Sequence, residues 1–131
     1  MPYLLDTDIY IYLAAGNPRI REKIEEVGEE NIFLSAVSVA EIYFGAFRSA
    51  RVDDNMKKIR RNLEKLQILN FTRHTAKIFG RLKAQAMGTG QPIADLDLAI
   101  ASIAILHQHT LVTHNTRHFS RLPELLLEDW T

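Results

Sequence analysis

The chain has 131 residues, 47% of them hydrophobic, and its 16 basic and 16 acidic side chains cancel to a net charge of zero. That length fits one domain with a sizeable core, and the balance is that of an ordered globule rather than a disordered chain. The absence of cysteine excludes disulfides and thiolate zinc sites, and no apolar run approaches the roughly 18 residues that a membrane crossing needs. Acid at Asp6 comes too early for a secretory leader, so the expected location is the cytoplasm.

In chain order, short apolar runs alternate with amphipathic ones. Residues 3–5 read as a first strand, stopping at Asp6-Thr7-Asp8, where Thr7 or Asp8 is placed to cap a short helix over 9–14. Gly16-Asn17-Pro18 ends that helix, and Pro18 opens a second one that runs to Val27 and closes at Gly28. Residues 31–35 form the second predicted strand. Ser38 starts a helix to about residue 50, and Ser38-x-x-Glu41 has the capping-box pattern. A helix over 53–66 carries Met56, Ile59, Leu63 and Leu66 at helical spacing. Strand three falls at 67–71, Thr72 caps a helix to Met87, and Gly88-Thr89-Gly90-Gln91-Pro92 is a clear loop. Residues 96–106 are almost wholly apolar and read as a buried helix with two carboxylates at its start. Asp95 is the better placed of the two to cap it, which leaves Asp97 as an acid at the edge of the core. Residues 110–113 are the fourth strand, and 125–127 are a short fifth or the end of a helix.

Strands alternating with helices, without repeat or linker, predict one α/β domain over residues 1–131. Its sheet would be parallel and four- to five-stranded, with helices on both faces. Sites in such sheets form beyond the carboxyl ends of the strands, near the switch in strand order. Asp6 and Thr113 fall at predicted strand ends, and the helix starts carrying Glu41 and Asp97 reach the same rim. Each acid has a structural use by itself, Asp6 and Glu41 as caps and Asp97 as a partner for the helix dipole. Convergence changes the balance. Two carboxylates about 4 Å apart repel by roughly 4 kcal/mol at an effective dielectric near 20, so a cluster takes up protons or holds a hard cation. Oxygen donors without cysteine point to Mg²⁺ or Mn²⁺.

Charge is unevenly spread. Residues 48–83 hold 11 Lys/Arg against 3 Asp/Glu, and the remainder holds 5 against 13. Arg48, Arg51, Lys57, Lys58, Arg60, Arg61 and Lys65 are either a solvated helix face or a path for phosphates.

Four segments together resemble the PIN-domain ribonucleases of the VapC type, the toxin halves of toxin–antitoxin pairs. Leu4-Leu5-Asp6-Thr7-Asp8-Ile9 is similar to the family's L-D-T-[ND]-I. Ser35-Ala36-Val37-Ser38-Val39-Ala40-Glu41-Ile42 with Gly45-Ala46 is similar to S-x-x-[ST]-x-x-E-[IL]-x-x-G-A. Residues 93–102 resemble I-x-x-x-D-x-x-I-A-[AS], which puts the family's acid on Asp97 and leaves Asp95 as an extra. Leu111-Val112-Thr113-His114-Asn115-Thr116-Arg117-His118-Phe119 resembles V-T-x-N-x-[RK]-[DE]-F, and Glu128-Asp129-Trp130 matches a common closing motif. His118 stands where many relatives carry Asp or Glu, and Asn115 where others carry Asp.

The resemblance implies a metal-dependent endoribonuclease toxin that leaves 3′-hydroxyl and 5′-phosphate ends. Asp6, Glu41 and Asp97 would be catalytic, with Asp6 and Asp97 holding Mg²⁺ or Mn²⁺ and Glu41 serving as a ligand or as the base for water. Asp95, Asn115 or Thr113 would act through water, and Arg48, Arg51, Lys57, Lys58 and Arg61 would contact RNA. The implied substrate is structured RNA, foremost tRNA and more finely the initiator tRNA anticodon loop. The implied partners are a second copy of the chain and a VapB-like antitoxin whose C-terminal segment brings an Arg to the acidic pocket.

Other chemistries fit less well. Asp6-Thr7-Asp8 also resembles the D-x-D of haloacid-dehalogenase-like phosphatases, but Tyr10 is wrong for that motif and the chain is short for that fold. His107, His109, His114 and His118 offer pairs for metal-free RNA cleavage, which would resist chelators and leave 2′,3′-cyclic phosphates. A non-catalytic PIN-like module that binds RNA or a partner is the remaining alternative.

Overall fold

The computed structural model describes residues 1–131. Its sheet has five strands: β1 (Tyr3–Leu5), β2 (Ile32–Ser35), β3 (Gln67–Leu69), β4 (Thr110–Val112) and β5 (Leu127–Glu128). They lie in the order β3-β2-β1-β4-β5, and every pairing is parallel. The chain builds outward from β1 in one direction through β3, then crosses to the other side of β1 with β4. The switch in strand order is therefore between β1 and its neighbours, where Asp6 leaves the sheet.

Strand side chains alternate between faces, and the two faces have separate cores. Leu4 and Leu111 point to one side, into a cluster with Leu82, Leu98, Ile100, Ile103 and Phe119. Leu5, Leu34 and Val112 point to the other, among Ile9, Ile20, Ile42, Ile59 and Trp130. The first side is covered by α5 (Arg73–Gly88), α6 (Asp95–His107) and the short α7 (Thr116–Phe119). The second is covered by α1 (Thr7–Ala14), α2 (Pro18–Val27), α3 (Ala36–Phe47) and α4 (Val52–Leu63). A parallel sheet needs cover on both faces, and short strands of continuous apolar residues are its signature. Trp130 is fully buried behind Tyr3, with ring centroids 5.2 Å apart, and its carbonyl accepts from Arg19 Nε at 3.0 Å.

The expected elements are present, with corrected starts and ends. Helix α1 begins at Thr7, so its cap is Asp6 rather than Thr7 or Asp8. Helix α3 begins at Ala36 because Ser35, not Ser38, is the cap: Ser35 Oγ accepts from the Ser38 amide at 3.0 Å. Ser38-x-x-Glu41 is thus not a capping box. Helix α6 has Ala94 at its N-cap with no side-chain cap bond, so Asp95 does not cap it. Helix α4 ends at Leu63, and the next residues form turns into β3. Strand five is Leu127–Glu128 rather than 125–127, and α7 was not anticipated. Four polar or aromatic residues give α7 no apolar periodicity to read.

Candidate active site

The rim at the carboxyl ends of β1, β2 and β4 is built by three helix starts and one strand end. Asp6 follows β1 directly, and its amide continues the ladder by donating to the Val112 carbonyl at 2.8 Å. Its carboxylate is fully engaged: Oδ1 accepts from the Thr7 amide at 2.8 Å and Oδ2 from the Thr113 hydroxyl at 2.8 Å. Asp6 is only 7% exposed. Burial raises its pKa above the usual carboxylate range; the bonds from Thr113 and Thr7 oppose the rise, and the charges of Asp97 and Asp8 add to it. Thr113 is fully buried, and its hydroxyl also accepts from the Asn115 amide at 2.9 Å. Its place in the site is to orient Asp6.

Asp97 is the third residue of α6, half-buried at the end of the apolar helix. Burial also raises its pKa, the nearby charges of Glu41 and Asp8 raise it further, and His118 lowers it. Asp95 lies two residues earlier, about 200° away around a helix of 3.6 residues per turn. It is exposed and paired with Lys83 of α5, Nζ to Oδ1 3.0 Å. The structure brings Asp97 to the rim and turns Asp95 away from it.

Glu41 projects from the second turn of α3. Its Oε1 accepts from the Thr7 hydroxyl at 2.7 Å, and that hydroxyl lies 2.8 Å from Ser38 Oγ. Asp6, Glu41 and Asp97 therefore come together from three separate segments, as expected. Asp8, which the sequence motif contains but which was not singled out for the site, joins them: its charge reaches both Asp6 and Asp97. A helix starting at Thr7 puts residue 8 in its first turn, so the earlier start of α1 was the missing signal. Asn115 and His118 bring no negative charge. The Asn115 side-chain nitrogen is 3.0 Å from His118 Nδ1, and His118 faces Asp97.

No three His, Asp or Glu side chains stand together at ligand spacing; hydroxyls and an amide hold Asp6 and Glu41 individually. The donor chemistry still fits a hard cation. The set is all oxygen, and two of its carboxyls are pushed up by burial and by the charge of neighbouring acids, a penalty that a divalent cation removes.

Beside the rim runs a groove of about 580 Å³ between α1, α3 and α4, with Glu41 on one wall and Lys58, Arg61 and Lys65 on another. Two of the expected phosphate contacts, Lys58 and Arg61, line it. Lys57 lies in a shallower neighbouring hollow with Arg60 and Glu64. Arg48 sits over the Phe44 ring at 5.8 Å and Arg51 pairs with Asp54 at 3.9 Å, so neither lines the groove. A smaller hollow of about 200 Å³ under α2 contains none of the rim acids.

The PIN domain family model matches residues 3–125. The chain belongs to the PIN-domain family. It is 34% identical to Ribonuclease VapC2 of Rickettsia felis over 99% of this chain and 98% of that protein. The same organism's VapBC2, crystallised bound to a DNA fragment from its promoter, contains a chain that superposes with a TM-score of 0.91 at 33% identity, covering 100% of both chains. The tRNA(fMet)-specific endonuclease VapC of Shigella flexneri is 28% identical over 100% of this chain and 99% of its own. The relatives thus place this PIN domain among the VapC ribonucleases, and the solved structures it resembles include toxin–antitoxin complexes. No helix is long and apolar enough to cross a membrane.

Proposed function

We propose that this PIN domain is a Mg²⁺- or Mn²⁺-dependent endoribonuclease toxin that cuts structured RNA, with tRNA as the substrate class and the initiator tRNA anticodon loop as its target. The observation that carries the reading is the meeting of Asp6, Glu41 and Asp97 at one rim, with burial and the charge of neighbouring acids raising Asp6 and Asp97. The relative named for tRNA(fMet) supports the finer substrate, and fold analogy alone would not.

Asp6 and Asp97 would hold the cation, with Asp8 and Glu41 adding negative charge around it. When bound, the cation supplies Lewis-acid stabilisation of the developing negative charge and lowers the pKa of a bound water. Glu41 accepts a proton from the attacking water and fixes its direction of approach. Water's oxygen bonds to phosphorus as the P–O3′ bond breaks, and the 3′-oxygen gains a proton, leaving a 3′-hydroxyl and a 5′-phosphate. Thr113 and the Thr7 amide keep the Asp6 oxygens aimed. Lys58, Arg61 and Lys65 track phosphates along the groove toward Glu41 and contribute affinity without reading bases. Asn115 and Thr113 would act on the cation through water, and Asn115 in place of an acid would hold a second ion more weakly.

The protein would work in the cytoplasm, inhibited by a VapB-like antitoxin, as the VapBC2 complex suggests. An acidic rim receiving an inserted guanidinium is a charge-assisted pair. Phe44 and Phe47, 63% and 67% exposed on α3, offer apolar surface for a second copy of the chain.

The test is to incubate purified, antitoxin-free protein with total RNA in Mg²⁺ or Mn²⁺ and again with EDTA, and to map the ends. Metal-dependent cuts with 5′-phosphates are expected. Asn115 and His118, which bring no negative charge where relatives carry acids, favour a second reading, a binding module without catalysis. A folded, inhibitor-free protein that binds RNA but never cuts it would replace the first reading with that one.

A further inference from the structure

Thr7 sits between two of the rim carboxylates and holds both. Its amide donates to Asp6 Oδ1 at 2.8 Å and its hydroxyl to Glu41 Oε1 at 2.7 Å. A hydroxyl has a single proton, and an ionised carboxylate only accepts. That one proton is therefore shared between Glu41 Oε1 and Ser38 Oγ, 2.8 Å away, which accepts from the same hydroxyl. Ser38 Oγ is in turn 3.3 Å from Ser35 Oγ, whose own lone pair takes the Ser38 amide at 3.0 Å. Ser35 and Ser38 are fully buried and Thr7 is 9% exposed, so water does not compete for these bonds.

We infer that Thr7 is a positioning residue that fixes the Glu41 carboxylate relative to Asp6, with its hydroxyl seated against the buried Ser38. This rests on the proposed nuclease reading and deepens it. Ser38, which caps nothing, gives the Thr7 hydroxyl a buried polar seat inside the first turn of α3. Donated hydrogen bonds favour the charged, correctly aimed form of a carboxylate. Outer partners of this kind are worth about 10–100-fold in metal affinity or activity.

The deciding comparison is Thr7→Val against Thr7→Ser in the full chain. Valine keeps the branched shape and the amide but lacks the hydroxyl; serine keeps the hydroxyl. Thr7→Val is expected to lose about 10–100-fold in single-turnover cleavage with KM for RNA nearly unchanged, and to bind Mn²⁺ more weakly by calorimetry. Thr7→Ser should restore both to within about threefold. Thr7→Val that cleaves and binds Mn²⁺ like the parent overturns the assignment. So does equal loss in the Val and Ser variants, which would mean that packing alone matters. Failure of the parent to cut RNA would count against the nuclease reading instead. In that event the Mn²⁺ comparison still decides the role of Thr7, because it needs no turnover.

Discussion

Two groups of carboxylates in this molecule are treated in opposite ways. Glu124 and Asp129 lie at the surface, and both have pKa values below the ordinary range. The Arg81 guanidinium forks onto Glu124, and the Thr131 hydroxyl, then its amide and His114, bond to or face Asp129. Asp6 and Asp97, at the ends of buried elements, are held above that range by burial and by the charge of neighbouring acids. Surface acids in this chain receive cations or hydroxyls while remaining in water. Rim acids lose water and are crowded with like charge, which local stability alone would disfavour. The contrast separates a site from a salt bridge better than counting charges does.

The largest test of that contrast is Asp97→Asn. Cleavage should fall by at least about 100-fold, as expected when a metal-holding acid is lost. Metal-free stability should move the other way. A carboxyl whose folded pKa is raised contributes stability that is fully present below its unfolded pKa, near 3.9, and is lost as pH rises through the folded value. Asp97→Asn should therefore melt above the parent at neutral pH, with the advantage vanishing below about pH 4. A variant that melts lower at pH 7 would break the claim that Asp97 is electrostatically strained.

Next in size is the effect of the cation. Mn²⁺ at about 100 times its Kd should stabilise the parent by about 2.7 kcal/mol, and Asp97→Asn should abolish most of that gain. A denaturant titration with and without Mn²⁺ measures it. Smaller again are Lys58→Ala and Arg61→Ala. Each should weaken RNA binding for all sequences alike and reduce the slope of log affinity against log salt by about 0.7; a change confined to one sequence would argue for base reading instead. Smallest are Asp95→Asn and Arg81→Gln, exposed pairs expected to shift stability by less than about 1 kcal/mol and to leave cleavage unchanged. If Asp95→Asn matched Asp97→Asn in lost cleavage, the assignment of only one of these neighbours to the rim would fail.

The pattern of apolar runs carried the parallel sheet and its two covered faces, because β1, β2 and β4 are buried enough to be continuous in sequence. The placement of Asp6, Glu41 and Asp97 followed from strand ends and helix starts. What the pattern could not supply was phase at helix starts. Asp6, Ser35 and Ala94 take the cap positions that Thr7 or Asp8, Ser38 and Asp95 were expected to fill. A shift of one to three residues decides which side chains face the rim, and here it admitted Asp8 and excluded Asp95. Helix α7 escaped because four residues between a loop and a turn show no period. The basic stretch was visible as composition, yet composition does not say which face of α4 a residue occupies. Lys58 and Arg61 share the groove, while Arg48 stacks on an aromatic ring and Arg51 serves an acid of its own helix turn.

The bond between Thr113 and Asp6 spans 107 residues. On a ribosome adding about 5–20 residues per second, Asp6 is made roughly 5–20 s before its hydroxyl partner exists. Until β4 docks beside β1, the emerging chain has neither the strand that accepts the Asp6 amide nor the hydroxyl that aims its carboxylate. On the proposed reading, a chain that would cut RNA lacks its aimed Asp6 until β4 has been made and docked. The parallel crossover that brings β4 beside β1 therefore also sets when the rim is complete.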